Sequence, residues 1–289
     1  MTMLMDGKSL AQQIRAQLKK EVGSYLARGL RAPRLAMILV GDDPASAIYV
    51  RSKAKIAEEI GIAHELLQLP KDVSQDQLLA AIRAFNQRDE VDAVLPQLPL
   101  PSHLRSFVVL SELKTEKDVD GLTPKNQGLL LWNQGAILPC TPRGIMELLH
   151  HYQIPIQGQR AVVIGRSLLV GRSIGLLLDQ AGATVTTIHS ATPNPEQLCR
   201  DADLVIAAAG VPGLVRGSWL KPGCAVVDVG IHRVEGSPSL VGDVLESEAL
   251  GRAAFLTPVP GGVGPMTMAM LMRNTVELYL RFGDQGATM

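Results

Sequence analysis

The sequence predicts an α/β protein made of two successive α/β blocks and a closing helix, and three observations carry that prediction. Short apolar runs of strand length alternate with amphipathic stretches of helical period over the 289 residues, the pattern of sheets covered by helices. Glycines and prolines fall between the runs, where chains turn. The second half opens with "RAVVIGRSLLVGRSIGLLLDQAGATVTTIHS", which reads as strand, glycine-containing loop, helix and strand.

Composition narrows the classes. An apolar content of 46% is ordinary for a globular chain, and 28 basic residues balance 28 acidic ones. No net field recruits nucleic acid or an anionic membrane, so small, locally recognised ligands are expected. The start "MTMLMDGKSLAQQIRAQLKK" has no apolar core of signal-peptide length, and no stretch reaches the length of a membrane span. A cytoplasmic protein is the resulting expectation. Cys140, Cys199 and Cys224 form no CxxC pair and are too few for a disulfide framework, so neither disulfides nor a metal is expected.

In the first half, Ile14, Leu18, Val22 and Leu26 recur every fourth residue and predict a helix from Gln12 to about Leu26 with one buried stripe. "RLAMILVG" reads as an interior strand. "DDPASAIYVRSKAKIAEEIG" begins with turn residues and becomes a helix ending at Gly61, which puts Tyr49 and Lys53 four apart on one face. "IAHELLQLP", "SQDQLLAAIRAFNQ" and "VDAVLPQLPL" follow as strand, helix and strand, giving a mostly parallel sheet. Pro96, Pro99 and Pro101 stop the last strand, leaving Gln97 at its exit, where open α/β sheets bind ligands. "KTEKDVDGLTPKN" reads as polar turns, and a linking helix starts near Pro142.

In the second block, Gly165 and Gly171 sit where an absent side chain lets backbone approach a pyrophosphate, with the helix N-terminus adding partial positive charge. The spacing is G-x-S-x-x-V-G rather than GxGxxG. The next strand ends in His189 and Ser190, with no Asp or Glu to take the ribose hydroxyls of NAD. Arg166 and Ser190 can instead receive a 2′-phosphate, so NADP is favoured. Gly210, Gly213 and Gly230 follow two further strands and offer close backbone access. Asp228 suits loop organisation as well as ligand contact. "MAMLMRNTVELYLRF" reads as a terminal helix.

The chemistry concentrates in the first half. Tyr49 can stack on a planar ligand and Lys53 aims an amine at the same region. Gln97 can hold that amine while offering its other amide atom to ligand. Lysine is a poor base at neutral pH unless its surroundings lower its pKa. Asp120 in "KDVDG" can accept two hydrogen bonds from a heterocycle's amino group and ring N–H; Asp118 and Lys117 compete as loop residues.

These residues resemble the bifunctional methylenetetrahydrofolate dehydrogenase/cyclohydrolase family, FolD. The resemblance runs from "DGK" at Asp6 to "PGGVGPMT" ending at Thr267 and into the helix beyond. It rests on "VGDDPASAIYVRSKAK", "QLPLP", "KDVDG", "PCTPRGI", "GRSLLVG", "VVDVGIHR", "VGDV" and "TPVPGGVGPMT". It implies NADP-dependent oxidation of 5,10-methylenetetrahydrofolate and hydrolysis of the methenyl product to 10-formyltetrahydrofolate. Tyr49 would stack on the folate, Lys53 would move the protons of hydrolysis, Gln97 would position Lys53 and Asp120 would bind the pterin. Gly262 and Val263 would adjoin the folate. Arg166, Ser167 and Ser190 would contact NADP, with Gly165, Gly171 and Ile231 lining its site.

The resemblance also implies two domains around a cleft: a folate-binding catalytic αβα domain (1–140) and a Rossmann-like NADP-binding domain (141–267). Residues 268–289 would return to the first, and chains would pair as homodimers. Lys53 argues against a dehydrogenase-only relative, because hydride transfer alone does not need that amine. Two departures stand out. Pro96 replaces a valine-like residue before Gln97, which is expected to shift that strand exit, and Ser173 replaces a proline at a helix start.

Overall fold

The computed structural model describes residues 1–233 and 240–283. They fall into two compact units, a three-stranded one (13–140 and 268–283) and a six-stranded one (1–12, 141–233 and 240–267). Residues 234–239 of the expected nucleotide block, and 284–289 of the expected returning segment, lie outside the described residues. Residues 1–12 were expected in the first domain and belong to the second unit instead. The reason is β1 (Met3–Leu4), which pairs in parallel with Phe255–Leu256.

The helix α1 (Gly7–Ala27) starts five residues before the expected Gln12. Its Ile14, Leu18 and Val22 are buried, but Leu26 is 47% exposed. A four-residue step overshoots the 3.6-residue turn, so the stripe rotates off the buried face by its fourth member. β2 (Arg34–Val40) is buried almost throughout. In α2 (Pro44–Ile60), the Asp43 carboxylate accepts from the Ser46 N–H at 2.8 Å and Pro44 occupies the first turn. Gly61 ends it in the left-handed region at φ 92°.

β3 (Ala63–Leu69) leads to α3 (Gln75–Gln87), opened by a reciprocal Ser74–Gln77 capping box. β4 (Ala93–Pro96) completes an all-parallel sheet of order β3-β2-β4. Ala36, Ile38, Leu78, Ile82, Phe85 and Val94 build the core on one of its sides. Pro96 does not displace the strand exit. It stays in register with Ile38, and the Gln97 N–H still donates to the Ile38 carbonyl at 2.8 Å. Proline is tolerated because β4 is an edge strand.

Two short helices were not predicted: α4 (Ser106–Glu112) lies where no element is assigned, and α5 (Pro124–Leu131) begins inside the segment expected as polar turns. Seven or eight residues carry too few helical periods to mark a helix along the chain. α6 (Cys140–His151) follows.

The six-stranded unit continues with β5 (Arg160–Ile164), a π-helical turn at Leu168–Arg172, α7 (Ser173–Gln180) and β6 (Thr184–Ile188). Ser173 does start α7, and its buried hydroxyl donates to the Leu168 carbonyl at 3.1 Å. Then come α8 (Pro195–Arg200), β7 (Leu204–Ala207), β8 (Ala225–Asp228), β9 (His232–Arg233) and β10 (Leu240–Val241). α9 (Glu246–Ala249), β11 (Phe255–Leu256) and α10 (Val263–Phe282) complete the chain.

The sheet order is β1-β11-β8-β7-β5-β6, with every pair parallel. The chain passes from β5 to β6 on one side and then to β7 on the other, so the exits of β5 and β7 flank a topological switch point. From Met268 onward α10 belongs to the three-stranded unit. There Asn274 donates to the carbonyls of Val119 and Leu138 at 2.7 and 2.9 Å, satisfying buried backbone acceptors beside Asp120.

Candidate active site

Lys53 and Gln97 come from a helix and a strand exit, and the structure joins them: Lys53 Nζ donates to Gln97 Oε1 at 2.7 Å. Gln97 Nε2 donates to the Leu98 carbonyl at 2.8 Å. That second bond corrects the expectation of a wholly free amide nitrogen, since only its other hydrogen remains for a ligand. The same bond fixes the amide's orientation, because a flipped amide would face oxygen with oxygen at Leu98 and NH₂ with ammonium at Lys53. Burial lowers the Lys53 pKa, while Asp120 and Cys140 pull it back up. A neutral amide acceptor orients the amine without the charge compensation a carboxylate would supply, so the depression survives.

The loop carrying Asp120 is built by its neighbours. Asp118 is buried, and its Oδ2 accepts from the Thr123 N–H at 2.7 Å and from Asn126 Nδ2 at 2.8 Å. Lys117 Nζ donates to the carbonyls of Phe85 and Arg88 at 3.0 and 2.6 Å. Both competitors therefore hold the loop. Among the described residues, the half-buried Asp120 carboxylate accepts no hydrogen bond, which leaves both oxygens available. Tyr49, 42% exposed on the same helix as Lys53, keeps a ring face for stacking. In the sequence Cys140 stands out only as a cysteine outside any CxxC pair. Its thiol is buried beside the Val119 carbonyl and Asn274, in the field of Lys53, a placement that needs the fold to reveal.

In the six-stranded unit, a cavity of about 450 Å³ opens at the switch point. Gly165 and Arg166 from the β5 exit, His189 and Ser190 from the β6 exit, and Ala209 and Val211 from the β7 exit line it. Leu214 and Trp219 also line it and carried no sequence signal, because separate segments bring them in. The Arg166 guanidinium and the Ser190 hydroxyl are exposed and make no hydrogen bond to a described residue. A guanidinium and a hydroxyl at adjacent strand exits, with no carboxylate at the end of β6, match a ribose 2′-phosphate.

The glycines have a more specific job than first supposed. Gly165 has φ 112°, and a Cβ there would overlap the Ala208 carbonyl; a Cβ on Gly171 would overlap the Gly165 carbonyl and sit 2.9 Å from the Arg166 Cα. Both are needed for loop-on-loop packing, which shapes the cavity. The helix N-terminus expected at the phosphates is preceded by the π turn, where Ser167 Oγ accepts from the Val170 N–H at 3.3 Å. Ser167, Gly171 and Ile231 do not line this cavity, and Ile231 is 40% exposed. Gly262 and Val263 also lie in the six-stranded unit and are buried, Gly262 against Thr257 and Pro258.

Asp228 proves to be a loop organiser. Its Oδ1 accepts from the N–H groups of Gly230 and Asp243 at 2.9 and 2.8 Å, and its Oδ2 from that of Val244 at 2.9 Å. Burial pushes its carboxyl up to about 6 against these bonds.

This fold and these two sites define a two-domain α/β enzyme that uses a nicotinamide dinucleotide. Residues 5–120 match the catalytic-domain model of the tetrahydrofolate dehydrogenase/cyclohydrolase family, and residues 139–282 match its NAD(P)-binding-domain model. The chain is 47% identical to the mitochondrial bifunctional protein FolD 1 of Arabidopsis thaliana, over 97% of this chain and 82% of that protein. It is similar to the crystal structure of the bifunctional FolD enzyme of Campylobacter jejuni, with a TM-score of 0.94 and 45% identity over 96% of this chain and 98% of that one. The Trypanosoma brucei FolD structure, complexed with NADP and an inhibitor, gives 0.93 and 41% over 97% and 98%. The chain belongs to the tetrahydrofolate dehydrogenase/cyclohydrolase family and is a bifunctional enzyme of FolD type.

Proposed function

We propose that this enzyme oxidises 5,10-methylenetetrahydrofolate with NADP and hydrolyses the 5,10-methenyl product to 10-formyltetrahydrofolate, with the proton work of hydrolysis assigned to Lys53. The observation that carries the assignment is the 2.7 Å Lys53–Gln97 bond around an amine whose pKa burial lowers. Asp120 grips the pterin through its two free oxygens and Tyr49 stacks on it. Bound NADP supplies the hydride acceptor, and Arg166 and Ser190 hold its 2′-phosphate while the glycine-cornered loops give its phosphates room. A neighbouring nitrogen lone pair drives hydride loss, so that step asks the chain for alignment rather than a base. Water adds to the cationic methenyl carbon as Lys53 takes its proton; the bond from that carbon to N5 then breaks, the added hydroxyl becomes the formyl carbonyl as its proton passes to N5, and one proton is released overall.

The test is to follow NADPH formation and methenyl decay separately in wild type and Lys53→Ala. Hydrolysis is expected to fall by about 10²–10⁴, with a much smaller effect on hydride transfer. Undiminished hydrolysis would remove Lys53 from the role. Arg166→Ala should narrow the preference for NADP over NAD. The proposal includes a homodimer in the cytosol, a compartment in which the buried thiols of Cys140, Cys199 and Cys224 stay reduced; light scattering and fractionation decide both.

A further inference from the structure

The motifs "VVDVGIHR" and "VGDV" supply no group to the chemistry above, yet they meet in one buried cluster. Asp243 is fully buried. Its Oδ2 accepts from the N–H groups of Ala209 and Gly210 at 2.6 and 2.8 Å, and its Oδ1 lies 2.7 Å from His232 Nε2. Asp228 accepts from the Asp243 N–H itself. The glycines of both motifs make room for these carboxylates: a Cβ on Gly230 would overlap the Asp243 carboxylate, and a Cβ on Gly242 would overlap that of Asp228.

We infer that Asp243 is a positioning residue for the cofactor, holding the β7-exit loop in the shape that forms the NADP cavity. Ala209, Val211 and Leu214 of that loop line the cavity, and residues 242–245 strap it along its length. The Gly213 N–H donates to the Gly242 carbonyl at 3.0 Å, Val215 to Asp243 at 2.9 Å, and Leu245 back to Val215 at 2.9 Å. Those bonds belong to any neighbouring segment. The two bonds to Ala209 and Gly210 do not: the Ala208 N–H is already taken by the Ile164 carbonyl at 2.8 Å, whereas the next two N–H groups have the Asp243 carboxylate as their acceptor. Two N–H groups on one carboxylate oxygen, with a histidine on the other, make a rigid three-point clamp. Gly210, at φ 72° with open space around it, lets the chain turn toward the cavity once clamped.

The inference rests on reading this cavity as the NADP site, so the experiment tests both separately. NADP affinity is measured by quenching of Trp219, which lines the cavity, with Trp132→Phe as the common background. Dehydrogenase KM and kcat, and NADP-independent hydrolysis of the methenyl substrate, are followed alongside. Asp243→Ala should weaken NADP about 10- to 100-fold and leave hydrolysis within about twofold, since the hydrolytic residues lie on the other unit. Asp243→Asn keeps an oxygen for Ala209 and Gly210 and turns its NH₂ to His232 Nε2, so it should recover most of the affinity. An unchanged NADP affinity in Asp243→Ala, equal loss of hydrolysis, or an Asn variant no better than Ala would each overturn the inference. If Arg166→Ala also leaves NADP affinity untouched, the cavity reading itself falls; if it weakens NADP while Asp243→Ala does not, only the clamp falls.

Discussion

Replacing Gln97 with glutamate would put a carboxylate oxygen where the amide oxygen now lies, 2.7 Å from Lys53 Nζ. Coulomb's law at an effective dielectric of 20 puts an upper bound of about 6 kcal/mol on the added attraction. Desolvation of the new carboxylate offsets much of it, and close opposite charges in proteins typically stabilise an ion by about 1.4–4 kcal/mol. All of that favours the ammonium form, against the direction set by burial. The neutral amine then becomes about 10- to 10³-fold scarcer near pH 7. Gln97→Glu should therefore slow methenyl hydrolysis by that factor at neutral pH and recover toward alkaline pH, with the uncatalysed decay subtracted. Hydride transfer should change far less. A Gln97→Glu enzyme hydrolysing at the wild-type rate, with an unmoved pH profile, would refute the claim that a neutral Lys53 does the work.

Lys53 should also cost stability. The unfolded chain keeps its proton up to the ordinary lysine value of 10.5, while the folded protein releases it lower. Between the folded value and 10.5 the unfolded state binds more protons, so stability rises with pH across that window; Lys53→Met should raise Tm at neutral pH and flatten the rise. Asp120→Asn loses one of two acceptor sites and the charge, so the folate KM should climb about 10- to 100-fold in both reactions, and an unchanged KM in steady-state assays would contradict pterin binding there. Gly171→Ala forces the β5-exit loop off Gly165; NADP binding, read by Trp219 quenching, should be lost while methenyl hydrolysis persists.

Much of this protein is legible along the chain because it is written in local terms. Asp43, Pro44 and Gly61 bound α2 through capping that involves only adjacent residues, so Tyr49 and Lys53 share a face before any fold is known. The apolar run of β2 and the glycine loop after β5 are visible for the same reason. Short α4 and α5 were not, since seven or eight residues carry too few helical periods to mark a helix.

The sites divide along the same line. Side-chain types at Lys53, Gln97, Asp120, Arg166 and Ser190 name a chemistry by themselves, because an amine, a carboxylate and a guanidinium each suit few tasks. Which carboxylate of "KDVDG" stays free depends on Asp118 meeting Thr123 and Asn126, and the orientation of Gln97 depends on the Leu98 carbonyl. Met3 and Leu4 join a sheet through partners some 250 positions away, and Asp243 reaches Ala209 across the fold. The sequence alone determined the strands and helices bounded by local capping and periodicity, and the kinds of groups available. Only tertiary structure decided which groups are consumed in holding the loops and which remain for ligand, because buried polar atoms must find partners wherever the folded chain brings them.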